Sequence, residues 1–169
     1  NLITLGKLSI RDLEQYKGIG SAKAITILAA CELGKRRQKA TVEEAPILNS
    51  AENIYQFMHT TIQDLDIEEG WVLMMKQNFR LIEAKRISVG GLTMAPVDLR
   101  LMMKEVLLKN TTVLAFCHNH PSGSTNPSRD DDILTSHIHK ACELLHIHFA
   151  DHVILTDGGY FSYREEGKL

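Results

Sequence analysis

Residues 117–137, CHNHPSGSTNPSRDDDILTSH, place two histidines two residues apart, then a loop rich in proline, glycine and serine, then three consecutive aspartates. The apolar run just before the histidines, TTVLAF, predicts a buried strand. Residues two apart on a strand point to the same face, so His118 and His120 direct both imidazoles to one side of a sheet. Pro121 and Gly123 end this strand, and the two histidines are therefore expected at its exposed end.

The loop after the histidines leads into the start of a helix. Ser128 is a candidate N-cap and Asp131 falls in the first turn, so the loop returns a carboxylate towards His118 and His120. Two neutral histidines and one carboxylate leave a tetrahedral zinc ion with one open position, as in catalytic rather than structural zinc sites. The alternative is a helix cap of the type Ser-x-x-Asp, which requires no metal.

Strand and helix patterns alternate on both sides of this stretch. Helical periodicity is found in SAENIYQFMHTTIQDL, VDLRLMMKEVLLKN and SRDDDILTSHIHKACELL, whereas GWVLMMK, LIEAKRISV and IHFADHVILTD are strand-like and GGYFSYREEG forms a hairpin arm. The inward residues of the second of these helices are expected to be Leu99, Met102, Met103, Val106 and Leu107. The alternation predicts an α/β domain over residues 48–169, with a mixed sheet flanked by helices.

The overall composition is that of a globular protein rather than of a disordered or membrane-spanning chain. Of its 169 residues, 44% are hydrophobic and 24% charged, and the formal net charge is -2 at pH 7. No apolar run approaches the roughly 20 residues that a membrane span requires. Three cysteines, odd in number and widely spaced, argue against a disulfide framework and for a reducing, cytoplasmic location.

Charge divides the chain into a basic and an acidic part. Residues 1–39 contain eight lysines and arginines against three acidic residues, whereas the other 130 residues contain 11 basic and 18 acidic ones. We therefore expect two units with different partners: a small all-α unit over residues 1–38, a linker over residues 39–47, and the α/β domain over residues 48–169. Because the chain begins at Asn1 rather than at a methionine, the first unit is expected to be truncated at its N-terminus.

The stretch KGIGSAKA in the basic unit joins two predicted helices by a glycine-rich turn. Ser9 is a candidate N-cap of the first helix, with Asp12 three residues further on. Ser21 is expected to cap the second helix and Gly34 to end it. A glycine turn before a helix N-terminus offers free backbone N–H groups and the positive end of the helix dipole to an anion.

This stretch resembles a helix-hairpin-helix, a module that holds nucleic-acid phosphates without reading the base sequence. The resemblance implies contacts from Lys17, Gly18, Gly20, Ser21 and Lys23 to the phosphates of double-stranded DNA. The alternative is a helical hairpin that serves packing alone.

The spacing around the histidines is His118-x-His120, seven residues, Ser128, two residues and Asp131. It matches H-x-H-x7-S-x2-D, the JAMM motif of the MPN-type metalloproteases. HNHPSG, followed by NPS and by DHVILTDGGYFSYREEG, resembles more closely the bacterial RadC family, in which a helix-hairpin-helix is combined with a JAMM domain. The resemblance covers nearly the whole chain and implies a zinc metallohydrolase domain.

The resemblance also implies a role for each residue of the motif. His118, His120 and Asp131 would bind Zn²⁺, and Ser128 would stabilise the oxyanion of a tetrahedral intermediate. His152, in the Asp-His pair of the last long strand, is expected to be a hydrogen-bonded core residue or to orient one of the metal ligands.

The JAMM motif further includes a glutamate at the start of the first core strand, which acts as general base. Glu68 fits this position. Glu69 is its neighbour and would face the opposite way on a strand, so only one of the two can reach the metal. Glu83, on the second strand, is a further alternative, and a surface carboxylate without a catalytic role is the alternative for all three.

Two functional hypotheses follow. The first is a zinc-dependent metallohydrolase that cleaves peptide or isopeptide bonds in a protein or peptide substrate, delivered to DNA by the basic unit. The second is a DNA-binding accessory protein of repair or recombination, in which the metal site is structural or vestigial. The complete ligand set with a candidate base favours the first hypothesis.

Overall fold

The computed structural model describes residues 2–5, 8–39, 45–90 and 97–169. Contacts within the chain divide it into two compact units, Asn1–Glu44 and Ala45–Leu169. The division falls inside the predicted linker, of which residues 40–44 lie outside the described part of the chain. No helix in the described ranges is both long and apolar enough to cross a membrane.

The described part of the first unit consists of three helices, α1 (Leu2–Leu5), α2 (Ile10–Glu14) and α3 (Ser21–Lys39). Ser9 caps α2, as predicted. Its hydroxyl oxygen accepts the Asp12 N–H at 3.2 Å, and its own N–H donates to the Asp12 carboxylate at 2.8 Å. These reciprocal bonds satisfy two N–H groups at the start of the helix.

Helix α3 differs from the prediction at both ends. Ser21 lies inside the helix, because the Ala24 N–H donates to the Gly20 carbonyl and Gly20 therefore takes the cap position. The helix also continues through Gly34 to Lys39. A helical glycine costs about 1 kcal/mol relative to alanine, and the leucine, lysine and arginine residues around Gly34 favour the helix enough to offset this cost.

The second unit is a five-stranded sheet with helices on both faces. The strands are β1 (Glu69–Met75), β2 (Leu81–Val89), β3 (Val113–Asn119), β4 (His148–Thr156) and β5 (Gly159–Ser162), and the helices are α4 (Ala51–Ile62), α5 (Leu99–Leu108) and α6 (Arg129–Leu144). The strand order is β2-β1-β3-β4-β5; β3 and β4 are parallel, and the other neighbours are antiparallel. The predicted α/β class with a mixed sheet is confirmed.

The two faces of the sheet bury two separate apolar clusters. On one face α4 contributes Ile54 and Met58, and on the other α5 and α6 contribute Met102, Val106 and Ile138. Full burial of such a side chain stabilises the fold by about 1.5–3 kcal/mol. The central strands β1 and β3 are covered on both sides and are apolar along most of their length.

The prediction that Leu107 points inward is wrong, since its side chain is 54% exposed. Met102, Met103 and Val106 form the buried stripe of α5. Leu107 follows Val106 by about 100° of helical rotation, and this rotation turns it to solvent.

The end of β3 that carries the histidines lies in the middle of the sheet. Gly70 of β1 pairs with His118 on one side, and Ile154 of β4 pairs with it on the other. A Cβ atom on Gly70 would lie 2.9 Å from Phe116 Cζ and would collide with the Ser88 hydroxyl. The absence of a side chain at position 70 therefore allows the strands to pack closely beside His118.

Candidate metal centre

His118, His120 and Asp131 bring three donor atoms to one point. His118 Nε2 lies 3.0 Å from His120 Nε2 and 3.1 Å from Asp131 Oδ1, and His120 Nε2 lies 3.7 Å from Asp131 Oδ2. The three side chains are largely buried: the exposed fraction is 6% for His118, 11% for His120 and 14% for Asp131. In the described part of the chain, no other group of three histidine, cysteine or acidic side chains meets in this way.

Backbone pairing holds the end of β3 in place. Asn119, between the two histidines, accepts the Glu69 N–H on its side-chain oxygen at 2.8 Å and donates to the Ile67 carbonyl at 2.9 Å. The His120 N–H donates to the Leu155 carbonyl at 2.9 Å. These bonds continue the pairing of β3 with its two neighbours, so the backbone of both candidate ligand histidines is held in place.

The cap interpretation of Asp131 is confirmed, and the geometry is compatible with the ligand interpretation. The N–H and the hydroxyl of Ser128 each donate to Asp131 Oδ2 at 2.7 Å, and the Asp131 N–H donates to the Ser128 hydroxyl oxygen at 3.2 Å. The cap uses Oδ2 and leaves Oδ1 directed at His118. The two interpretations are therefore compatible, because the cap holds the carboxylate in the orientation that a ligand would need.

Hydrogen bonding assigns the proton of neutral His120 to Nδ1. This atom lies 2.7 Å from the Ser124 carbonyl oxygen, which can only accept, so Nδ1 carries the hydrogen. The Nε2 atom of the neutral ring then has a free lone pair, and it faces His118 and Asp131. An imidazole with one nitrogen engaged in this way is a suitable metal ligand.

The electrostatics of the centre favour a bound cation. Burial opposes ionisation of Asp131, but its close contacts with His118 and His120 and the hydrogen bond from Ser128 hold the pKa of its carboxyl well below the usual range. The hydrogen bond with Asp131 raises the pKa of His120, and burial partly opposes this. Asp131 is therefore a carboxylate at neutral pH, and a metal ion at this point would compete with a proton for His120 Nε2.

The donor set fits Zn²⁺. Two imidazole nitrogens and one carboxylate oxygen are ligands of catalytic zinc sites, which keep a fourth position for water or substrate. Cys117, although next to His118 in the sequence, is buried on the other face of the sheet in the cluster beneath α4. Burial also raises the pKa of its thiol, so it is not a fourth ligand.

The adjacent glutamates Glu68 and Glu69 have different surroundings. Glu69 is buried, and its carboxylate accepts Arg86 Nη1 at 2.6 Å and Trp71 Nε1 at 3.2 Å. Glu68 immediately precedes β1 and lines a cavity of about 430 Å³ that the three ligands and Ser128 also line. Glu68 therefore shares a cavity with the three candidate ligands, whereas the carboxylate of Glu69 is engaged by Arg86 and Trp71.

Glu83 lies away from this cavity. Its carboxylate pairs with Lys109 Nζ at 2.6 Å. Its partner on β1 is Met74, which is separated from Gly70, the partner of His118, by roughly 13 Å of strand. The structure does not bring this third candidate to the centre.

Two further side chains approach the centre from behind His118. His118 Nδ1 lies 2.9 Å from His152 Nε2, and His152 Nδ1 lies 2.6 Å from Thr135 Oγ1. The structure thus places His152 directly behind a candidate ligand, His118, whereas sequence reasoning did not identify Thr135. The signal that could have found Thr135 is its position four residues after Asp131, which puts both residues on one face of α6.

The residues predicted to contact DNA lie together at the turn between α2 and α3. Lys17, Gly18, Gly20, Ser21 and Lys23 are all exposed. Gly18 has a φ of 88°, which favours glycine, and Lys23 Nζ donates to the Gly18 carbonyl at 2.9 Å. Contact of this turn with DNA stays a prediction.

Comparison with known proteins identifies the family. Residues 48–168 match the family described as RadC-like JAB domain. A UPF0758 protein of Flavobacterium johnsoniae is 39% identical over 167 residues, which cover 99% of this chain and 73% of that relative. A UPF0758 protein of Porphyromonas gingivalis is 34% identical over 100% of this chain and 75% of that relative. A UPF0758 protein of Trichlorobacter lovleyi is 35% identical over 100% of this chain and 74% of that relative. The chain therefore belongs to the RadC family, and its second unit contains a RadC-like JAB domain.

Proposed function

We propose that this chain is a zinc-dependent metallohydrolase that cleaves peptide or isopeptide bonds. The observation that carries the proposal is the meeting of three ligand atoms, from His118, His120 and Asp131, with Glu68 in the same cavity. Structural zinc sites are closed by four protein ligands. Among the described residues the centre has three such ligands and an adjacent carboxylate, which is the composition of a catalytic site.

Glu68 is the proposed general base. A zinc ion held by the three ligands would supply a Lewis acid that polarises the substrate carbonyl and increases the acidity of water. Glu68 takes one proton from water as the water oxygen attacks the carbonyl carbon. The C–N bond then breaks and Glu68 returns this proton to the departing amine. The products are a carboxylic acid and an amine; the acid then releases its own proton to water and becomes a carboxylate, and Glu68 is again ionised.

Ser128 is proposed to stabilise the oxyanion that forms at the carbonyl oxygen. Its hydroxyl and its backbone N–H both donate to Asp131 Oδ2. Because the N–H alone can hold this oxygen, the hydroxyl hydrogen is able to turn towards substrate while Asp131 stays in place. A hydroxyl of this kind contributes to the rate by donating to charge that develops in the transition state.

A reducing, cytoplasmic location is part of the proposal. The three cysteines are free, and two of them, Cys117 and Cys142, are buried. Burial raises the pKa of Cys142 to about 12. Buried thiols of this kind are unreactive and accord with a compartment in which disulfides are not formed.

The proposal predicts hydrolysis that depends on zinc. We expect the zinc-loaded full chain to cleave members of a mixture of linear peptides and lysine-isopeptide-linked peptides, with each product pair heavier than its parent by one water. Chelation should abolish the cleavage, and added Zn²⁺ should restore it; mass spectrometry of the mixture measures both. A chain that retains zinc but leaves the whole mixture intact would support the alternative, a structural or vestigial metal site.

A second candidate function is the binding of double-stranded DNA through its phosphates. The observation that favours it is the exposed turn with Lys17, Gly18 and Lys23, in a unit with an excess of positive charge. Joint replacement of both lysines by alanine should weaken duplex binding equally for all base sequences. The slope of log K against log salt should become shallower by about two, or roughly one per phosphate contact.

Fluorescence anisotropy with two duplexes of unrelated sequence, at several salt concentrations, measures this effect. Lys140→Ala, a change of the same type on α6, is the control and should leave binding as in the wild type. Unchanged binding in the double variant would assign the turn a packing role alone.

A further inference from the structure

A line of hydrogen bonds runs from α6 through β4 to the ligand His118. The Thr135 hydroxyl lies 2.6 Å from the Asp131 carbonyl oxygen and 2.6 Å from His152 Nδ1. His152 Nε2 lies 2.9 Å from His118 Nδ1. Thr135 and His152 are 4% and 0% exposed, so water does not compete for these bonds. The line therefore connects the elements that carry two of the three metal ligands.

The direction of each bond follows from its chemistry. The Asp131 carbonyl oxygen can only accept, so the single hydroxyl hydrogen of Thr135 is donated to it. The short contact between Thr135 and His152 then requires its hydrogen on His152 Nδ1. The Nε2 atom of a neutral His152 carries none and accepts, and the hydrogen between the two rings therefore belongs to His118 Nδ1.

The surroundings of His152 keep it neutral and fixed. Its side chain is fully buried, and the groups within hydrogen-bond distance of its ring are the uncharged Thr135 hydroxyl and the His118 ring rather than a carboxylate that would stabilise a cation. Its ring stacks on Tyr163, with centroids 4.8 Å apart and planes 6° apart, and meets the ring of Phe116 edge-on at 5.0 Å. The Tyr163 hydroxyl donates to Asp132 Oδ1 at 2.8 Å, which ties this stack to the first turn of α6.

These contacts determine which nitrogen of His118 is free. With its proton on Nδ1, neutral His118 presents a bare Nε2 atom, and Nε2 is the atom that faces His120 and Asp131. With the opposite arrangement, a hydrogen would occupy the position of the metal. We infer that Thr135 and His152 are positioning residues for the metal ion: they hold the proton of His118 on Nδ1 and so keep its Nε2 lone pair available. This inference rests on the proposed metal centre but not on hydrolysis.

A role in packing alone predicts different behaviour. Valine has nearly the shape of threonine but lacks the hydroxyl, so a packing role would leave Thr135→Val unaffected or more stable. In the inferred role the same change removes the acceptor of the His152 Nδ1 hydrogen, and an unpaired buried donor costs about 1–3 kcal/mol. His152 avoids that cost by moving its hydrogen to Nε2, which then donates to His118 Nδ1 and places the His118 proton on the ligand atom.

The first test is the affinity for Zn²⁺, measured on the full chain by competition with a chromophoric chelator. Thr135→Val and His152→Phe should bind Zn²⁺ about 10–100-fold more weakly, the usual effect of removing a group that orients a metal ligand. Thr135→Ser retains the hydroxyl and should bind Zn²⁺ as the wild type does. Thr156→Val is the matched control, because Thr156 is also 4% exposed and its hydroxyl donates to the Gly159 carbonyl.

The second test is the position of the protons, which needs neither metal nor substrate. Long-range ¹H–¹⁵N spectra of histidine-labelled, metal-free protein, recorded at about pH 8 where exposed histidines are neutral, distinguish the two ring nitrogens. His118 should carry its proton on Nδ1 in the wild type and in Thr135→Ser, and on Nε2 in Thr135→Val. Denaturant unfolding of the metal-free variants identifies any that fail to fold.

The outcomes separate this inference from the proposed function. A wild type that binds zinc but cleaves nothing, with weakened binding in Thr135→Val, upholds the inference and contradicts the hydrolase. Equal zinc affinity in wild type and Thr135→Val, or a wild-type His118 protonated on Nε2, overturns the inference whether or not the protein is a hydrolase. A folded wild type that does not bind zinc at all overturns both.

Discussion

Replacement of Glu68 by glutamine should lower the rate of hydrolysis by about 10²- to 10⁴-fold, the usual contribution of a general base, and leave the zinc content unchanged. Glutamine has nearly the shape of glutamate but cannot take a proton from water. The three ligands, His118, His120 and Asp131, are untouched by the change. Initial rates on a cleaved peptide and metal content by mass spectrometry, both on the same preparation, check the two halves of this expectation.

Two other glutamates provide controls for this variant. Glu83→Gln alters a carboxylate that pairs with Lys109 on the surface and should leave the rate unchanged. Glu69→Gln removes the buried partner of Arg86; because the Arg86 side chain is 52% exposed, water can solvate the charge that remains, and cleavage should persist. If Glu69→Gln abolishes cleavage and Glu68→Gln does not, the assignment of the base is wrong by one residue.

Replacement of Asp131 by alanine should reduce zinc from about one ion per chain, the content expected of a mononuclear centre, to background. The loss of affinity should exceed the roughly 100-fold upper end found for groups that only orient ligands. Asp131 supplies the one negative charge of the ligand set, and its carboxyl stays ionised at neutral pH because its pKa is lowered. Mass spectrometry of protein purified without chelator measures the metal directly.

The same change also removes part of the α6 cap, and this effect has to be separated from the loss of a ligand. Loss of an N-cap interaction costs about 1 kcal/mol. Asp131→Asn retains an oxygen that can accept from Ser128 but lacks the charge, so it should keep the stability and still lose most of the zinc. Asp130→Ala, in the same turn, is the control. Zinc retained in Asp131→Ala would contradict the ligand assignment, and a wild type that takes up no zinc would move the proposal to DNA binding.

Predictions from the sequence succeeded where neighbouring residues determine the geometry. His118 and His120 share a face because a strand alternates, and Asp131 turns back because Ser128 caps the helix. Predictions failed where two local preferences compete. Gly34 does not end α3, since one weak helix former is outweighed by its neighbours, and Leu107 is apolar but exposed.

The sequence by itself determined the family, the order of strands and helices, and the three candidate ligands, because each depends on residue types at short, regular spacings. Tertiary structure decided which glutamate accompanies them: the pairing of β1 with β2 brings Arg86 to Glu69 and leaves Glu68 at the cavity. It also decided the contacts behind His118, where His152 lies 34 residues further along the chain. Such contacts depend on which strands become neighbours and on which buried polar atoms then require partners. The spacing of residues within a single strand or helix determines neither which strands become neighbours nor which buried polar atoms require partners.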